Sequence, residues 1–153
     1  MNNLKNSAFK NSARLIAVAS LAILMTGCGM MEKVGLGGSK PTTTTLSGAN
    51  EVPAVTTKAS GKSTITVADD RTVSGSVIID DMVATAAHIH RGASGQNGPV
   101  MIPLSKTSDK VFSVPANTRL TDAQYADYKA GNLYVNVHST AHPAGEIRVQ
   151  LKP

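Results

Sequence analysis

From about Leu46 onward the chain sets apolar against polar positions in short runs, each closed by Gly, Pro, Asn or Asp. A period of two marks a strand with one buried face. Seven runs are predicted as strands: Lys62 to Ala68, Thr72 to Asp80, Val83 to His90, Pro99 to Leu104, Lys110 to Pro115, Asn132 to His138 and Gly145 to Leu151. Three apolar faces stand out: Val73, Val77 and Ile79; Leu133, Val135 and Val137; Ile147, Val149 and Leu151. On the third strand, Val83, Thr85, Ala87 and Ile89 would face the core, so His88 and His90 would project together from the other side. Short strands at close intervals predict an all-β fold, an immunoglobulin-like sandwich or a barrel. One short helix interrupts them. Thr121-Asp122-Ala123-Gln124 fits a capping box and Gly131 suits the stop, which leaves about 8 to 10 residues with Tyr125 and Tyr128 on the buried stripe.

The opening of the chain follows a different pattern. Lys5, Lys10 and Arg14 precede an apolar run from Leu15 to Met25, and small residues then lead to Cys28. That is the layout of a signal peptide over residues 1–27. The run is too short for the roughly 20 residues of a membrane-spanning helix. Leu24-Met25-Thr26-Gly27-Cys28 resembles the lipobox of bacterial lipoproteins, which implies cleavage before Cys28 and diacylation of its thiol. As the sole cysteine, Cys28 has no partner for an intramolecular disulfide. Residues 28–45, rich in Gly, Ser and Thr, are expected to tether a domain spanning 46–153. The implied location is the cell envelope, anchored by lipid. Gly29 after the cysteine favours the outer membrane, by resemblance to lipoprotein sorting signals.

Cleavage also changes the charge. Three of 15 Lys and Arg precede Cys28 and none of 10 Asp and Glu does, so the mature chain keeps only a slight positive excess. With 3% aromatic residues and no Trp, stacking on nucleic acid is excluded as a function class.

Longer motifs recur in a fixed order: Leu46-Ser47-Gly48-Ala49-Asn50-Glu51-Val52-Pro53; Ala86-Ala87-His88-Ile89-His90-Arg91-Gly92; Gly131-Asn132-Leu133-Tyr134-Val135-Asn136-Val137-His138; then His142-Pro143 and Gly145-Glu146-Ile147-Arg148. Together they resemble the CHRD domain, first named from chordin, over about Leu46 to Leu151. Ala54, Ala144 and Val149 stand where the family more often shows Pro, Gly and Gly. The resemblance implies an extracytoplasmic binding module with an envelope or extracellular protein as ligand, and names no reaction. It also implies a fold like that of copper-zinc superoxide dismutase, whose His-Val-His copper strand is similar to His88-Ile89-His90.

All four histidines fall in two segments, His88 with His90 and His138 with His142, each at the end of a predicted strand. If the two strands are neighbours, three or four imidazoles converge, and such clusters suit copper or zinc. The competing reading makes them ordinary polar positions, hydrogen-bonded to backbone and to Asn136 or Glu146. A superoxide dismutase-like redox role is a further alternative, opposed by the lack of a disulfide and of a second ligand set. No G-x-S-x-G elbow is present, and the expectation is a non-enzymatic module. Gly92, Gly95 and Gly98 space a loop rather than a phosphate cradle, since neither a helix nor a Gly-Lys-Ser end follows. Asp80-Asp81 is expected in a turn, with calcium ligation as its chemical alternative.

Overall fold

The computed structural model describes residues 42–153. The expected signal peptide, Cys28 and most of the tether lie outside the described residues. The elements are β1 (Thr44–Ser47), a 3-10 turn (Gly48–Asn50), β2 (Ser60–Ser63), β3 (Thr66–Val67), β4 (Val73–Ser74), β5 (Ser76–Asp80), β6 (Ala84–Arg91), β7 (Val100–Pro103), β8 (Ser105–Ser108), β9 (Val111–Ser113), α1 (Asp122–Lys129), β10 (Leu133–Ser139) and β11 (Ile147–Leu151). No helix among the described residues is long and apolar enough to cross a membrane.

Nine strands form one antiparallel sheet in the order β7-β6-β10-β11-β1-β2-β5-β9-β8, and β3 pairs with β4 in a separate ribbon. The two edge strands, β7 and β8, follow each other in the chain, joined by Leu104, whose amide donates to the Ala87 carbonyl of β6 at 2.9 Å. The sheet therefore curls until its edges nearly meet, a nearly closed barrel. Closure is the usual way to avoid leaving a strand edge open to aggregation.

Inside the barrel lie Leu46, Val77, Ile79, Ala87, Ile89, Phe112, Leu133, Val135, Val137, Ile147 and Leu151, all buried. The faces expected on β10 and β11 are in place, with Val149 half-buried at the margin. The helix is the expected one: the Gln124 amide donates to Thr121 Oγ1 at 3.2 Å and the Thr121 amide to Gln124 Oε1 at 2.9 Å. Tyr128 is buried, with Tyr125 half-buried beside it.

Four strand expectations need correction. The run Thr72 to Asp80 is broken by Gly75, whose φ of +109° takes the chain out of the sheet between β4 and β5. Lys62 to Ala68 is likewise split between β2 and β3. Strand β1 begins at Thr44, inside the segment read as tether, because Thr44 to Ser47 pair with Ser63 to Ser60 of β2. Val83 is 85% exposed rather than core-facing. The cause is a bulge: His138 pairs with Ala86 but Ser139 pairs with Ala84, so Thr85 is extra and the alternation before it inverts, burying Ala84 instead. Asp81 does sit in the turn after β5, and Asp80 is paired with Lys110 at 2.8 Å.

Candidate metal site

Strands β6 and β10 are neighbours, as convergence of the histidines requires. Asn136 stands opposite His88 and Tyr134 opposite His90, while His138 stands opposite Ala86, one pair away from His88. All five polar side chains leave the same face, the one turned from the barrel interior. One ligand nitrogen from each of His88, His90 and His138 lies within 4.8 Å of the others. His142 is not part of that group. It lies in the turn after β10 and lines a surface hollow of about 220 Å³ with Glu51 and Gly145.

Hydrogen bonds set the tautomers. His90 Nδ1 lies 2.9 Å from the Gly98 carbonyl and His138 Nδ1 lies 3.1 Å from the Pro143 carbonyl. A carbonyl only accepts, so both rings donate from Nδ1 and keep the lone pair on Nε2. His138 Nε2 is then the acceptor for His88 Nδ1 at 2.9 Å. His90 Nε2, by contrast, is buried with no hydrogen-bond partner. Burial lowers the pKa of His88, with repulsion from His138 and His90 adding to it. Burial also lowers those of His90 and His138, against the pull of the Gly98 carbonyl and of the Asn136 side chain at His90 and of the Pro143 carbonyl at His138. All three rings are thus biased toward the neutral form that ligates metal.

This donor set fits a metal. Each of two histidines has its second nitrogen tied to a backbone carbonyl, the arrangement that orients metal-bound imidazoles. Metal–nitrogen bonds of about 2.0–2.1 Å hold ligand atoms at most ~4 Å apart, so small rotations would close the 4.8 Å spread. With neither thiolate nor carboxylate in the group, copper and zinc are the ions it suits.

The same face carries a polar cluster that the histidine pattern alone does not reveal. Arg148, 1% exposed, stands opposite Asn136 on β11. Its guanidinium donates to Asn97 Oδ1 at 3.2 Å, to the carbonyls of Ala93 and Gln96 at 3.3 and 2.8 Å, and to Gln150 Oε1 at 3.4 Å. It also lies 3.4 Å from the centre of the Tyr134 ring, which stacks on His90 with centroids 4.8 Å apart and planes 7° apart. A guanidinium, a phenol and an imidazole thus form one pile. All of these acceptors but Gln150 come from the Gly92 to Gly98 loop, folded over the sheet. Gly98 is obligatory there, since a Cβ would come within 1.6 Å of the Arg91 carbonyl oxygen. The signal for Tyr134 and Asn136 was the alternation itself: each lies between core residues of β10.

A small, nearly closed antiparallel barrel with a buried core and a histidine-bearing polar patch outside it defines an all-β domain with a three-histidine group that could hold a metal. The chain matches the CHRD domain over residues 42–151, and it belongs to that family. Searches of curated proteins and of solved structures found no match. The match begins at residue 42, just ahead of β1. The matched range covers the 3-10 turn, the His-bearing stretch of β6, β10 and β11, the elements that carry the polar patch.

Proposed function

We propose that the chain is a lipid-anchored protein of the bacterial envelope whose CHRD domain is a non-enzymatic binding module with a copper(II) or zinc site at His88, His90 and His138. The observation that carries the metal site is the buried, unpartnered His90 Nε2 beside two further imidazoles. A buried acceptor without a partner costs on the order of 1–3 kcal/mol, and a metal ion supplies the missing partner. An ion entering between His88 and His138 takes the place of the proton they share, which moves to the other nitrogen of His88.

Full-length protein in detergent is expected to take up copper(II) or zinc in near 1:1 ratio at neutral pH, and His90→Ala and His138→Ala each to abolish uptake. No uptake by the parent, or equal uptake by parent and both variants, would return the histidines to ordinary polar roles. The anchor rests on the lipobox resemblance. Cys28→Ser is expected to lose labelling by radioactive palmitate and to leave the membrane fraction, and a labelled Cys28→Ser protein would sink that assignment. An envelope or extracellular protein is the expected partner of the tethered domain, with the outer membrane as its location.

A further inference from the structure

A single asparagine of the chain is followed by glycine: Asn97-Gly98, in the loop that folds over Arg148. Asn50, Asn117, Asn132 and Asn136 precede Glu51, Thr118, Leu133 and Val137. Asparagine is labile where the next backbone amide can reach its side-chain carbon, and a following glycine, with no Cβ in the way, permits that approach most readily. Asn97 is also exposed to the water such a reaction needs. In the closed loop, however, both reacting groups are tied elsewhere. Asn97 Nδ2 donates to the Val52 carbonyl at 2.6 Å and Oδ1 accepts from Arg148 at 3.2 Å, while the Gly98 amide donates to Tyr134 Oη at 3.2 Å. Electrophile and nucleophile are thus each held by a distant part of the chain.

We propose that Asn97 is a modification site, a spontaneous deamidation site that closure of the Gly92 to Gly98 loop keeps dormant and that opening of the loop converts irreversibly. The Gly98 amide nitrogen loses its proton to solvent base and bonds to Asn97 Cγ. The Cγ–Nδ2 bond breaks, and Nδ2 takes up a proton and leaves as ammonia. Water then opens the cyclic imide at either carbonyl, giving aspartate or isoaspartate. One water is consumed and one ammonia released, with no oxidant and no cofactor. Both products undo the clamp. A carboxylate does not donate to the Val52 carbonyl. Isoaspartate adds a backbone carbon next to Gly98, where even a Cβ would fall 1.6 Å from the Arg91 carbonyl oxygen. The Gly98 carbonyl also accepts from His90 Nδ1, so the change reaches the histidine group whether or not a metal is held there.

The test uses metal-free full-length protein in detergent at mildly alkaline pH. Deamidation is read by peptide mass, and isoaspartate by enzymatic methylation. In guanidinium chloride, conversion is expected at Asn97 ahead of every other asparagine. The folded parent should convert there at least about tenfold more slowly, because only the open loop reacts. Tyr134→Phe keeps the ring between Arg148 and His90 but frees the Gly98 amide, and should convert several-fold faster than the parent while still folded. Should that variant unfold, the folded and denatured parent decide between them. Equal rates in folded and denatured parent overturn the proposal. So does a folded Tyr134→Phe that converts no faster than the parent.

Discussion

Strand β10 is buried on both faces, and the two faces are built on different principles. Inward it presents Leu133, Val135 and Val137, each at most 1% exposed and part of the apolar core cluster. Outward it presents Tyr134, Asn136 and His138, at 2%, 2% and 8%, among Arg148, Gln150 and the histidines of β6. The inner face is held by area removed from water, a non-directional term that asks only for volume and fit. The outer face is held by partners: every polar atom there needs a donor or acceptor, and a missing one costs as much as a buried methyl group or more. On that outer face the ligand nitrogens of His88, His90 and His138 lie within 4.8 Å of one another, close enough for a metal ion to pair with them.

The largest effect should come from making the same kind of substitution on each face. Leu133→Met keeps volume in the barrel interior and is expected to cost under about 1.5 kcal/mol. Arg148→Met also roughly keeps volume, but it strips donors from Asn97, Ala93, Gln96 and Gln150 and the counter-charge from Glu51. It is expected to cost about 3–5 kcal/mol in urea unfolding. Equal costs would mean that the outer face is held by packing alone.

Acidification should separate the faces next. The inner face carries no titratable group, whereas His88, His90 and His138 all have pKa values lowered below the ordinary 6.5. The unfolded chain accepts protons that the fold resists, so this contribution is fully present above pH 6.5 and is lost as pH falls toward the lowered values. Each unit of lowering is worth about 1.4 kcal/mol, less at half-buried His88 where water screens the charge. Glu51 runs the other way: raised from 4.5 to about 6, it contributes fully below pH 4.5 and loses that contribution as pH rises through 6. Urea midpoints of the metal-free parent are therefore expected to fall below pH 6.5. In Glu51→Gln, which lacks the offset, they should fall more steeply between pH 6 and 4.5. Parallel curves would remove Glu51 from the buried cluster.

How much of this was legible in the chain differs between the faces in the same way. The inner face was legible because alternation reports it directly: Leu133, Val135, Val137 and Ile147 are where the period of two puts them. Convergence of His88, His90 and His138 followed from the same alternation once β6 paired with β10. Alternation failed where one backbone residue changes phase. The extra Thr85 exposed Val83, and Gly75 cut the run from Thr72 to Asp80. β1 was hidden because Thr44 and Thr45 read equally well as tether and as strand, and only pairing with β2 decides. Burial of Arg148 was the least legible. It depends on the Gly92 to Gly98 loop folding back over β11, a contact between residues more than fifty apart.

The smallest effect tests whether the outer face depends on what precedes it in the chain. Helix α1 ends just ahead of β10, and the connection is tied by Asn132 N to the Asp127 carbonyl at 2.9 Å and by Gln150 Nε2 to the Gly131 carbonyl at 2.7 Å. Arg91 at the end of β6 adds an ion pair to Asp127 at 2.8 Å, and the Tyr128 hydroxyl donates to the Lys152 carbonyl at 3.0 Å. Both tie the helix to strands that carry or flank the histidines. Thr121→Ala removes one half of the capping box at the far end of that helix, a loss of about 0.5–2 kcal/mol. The ties to β10 lie at the other end, so a frayed first turn should leave its register intact. Urea unfolding should register that loss while copper uptake at the three histidines stays at the parent level. If uptake falls as well, the polar face is set by the docking of α1 and not by the pairing of β6 with β10.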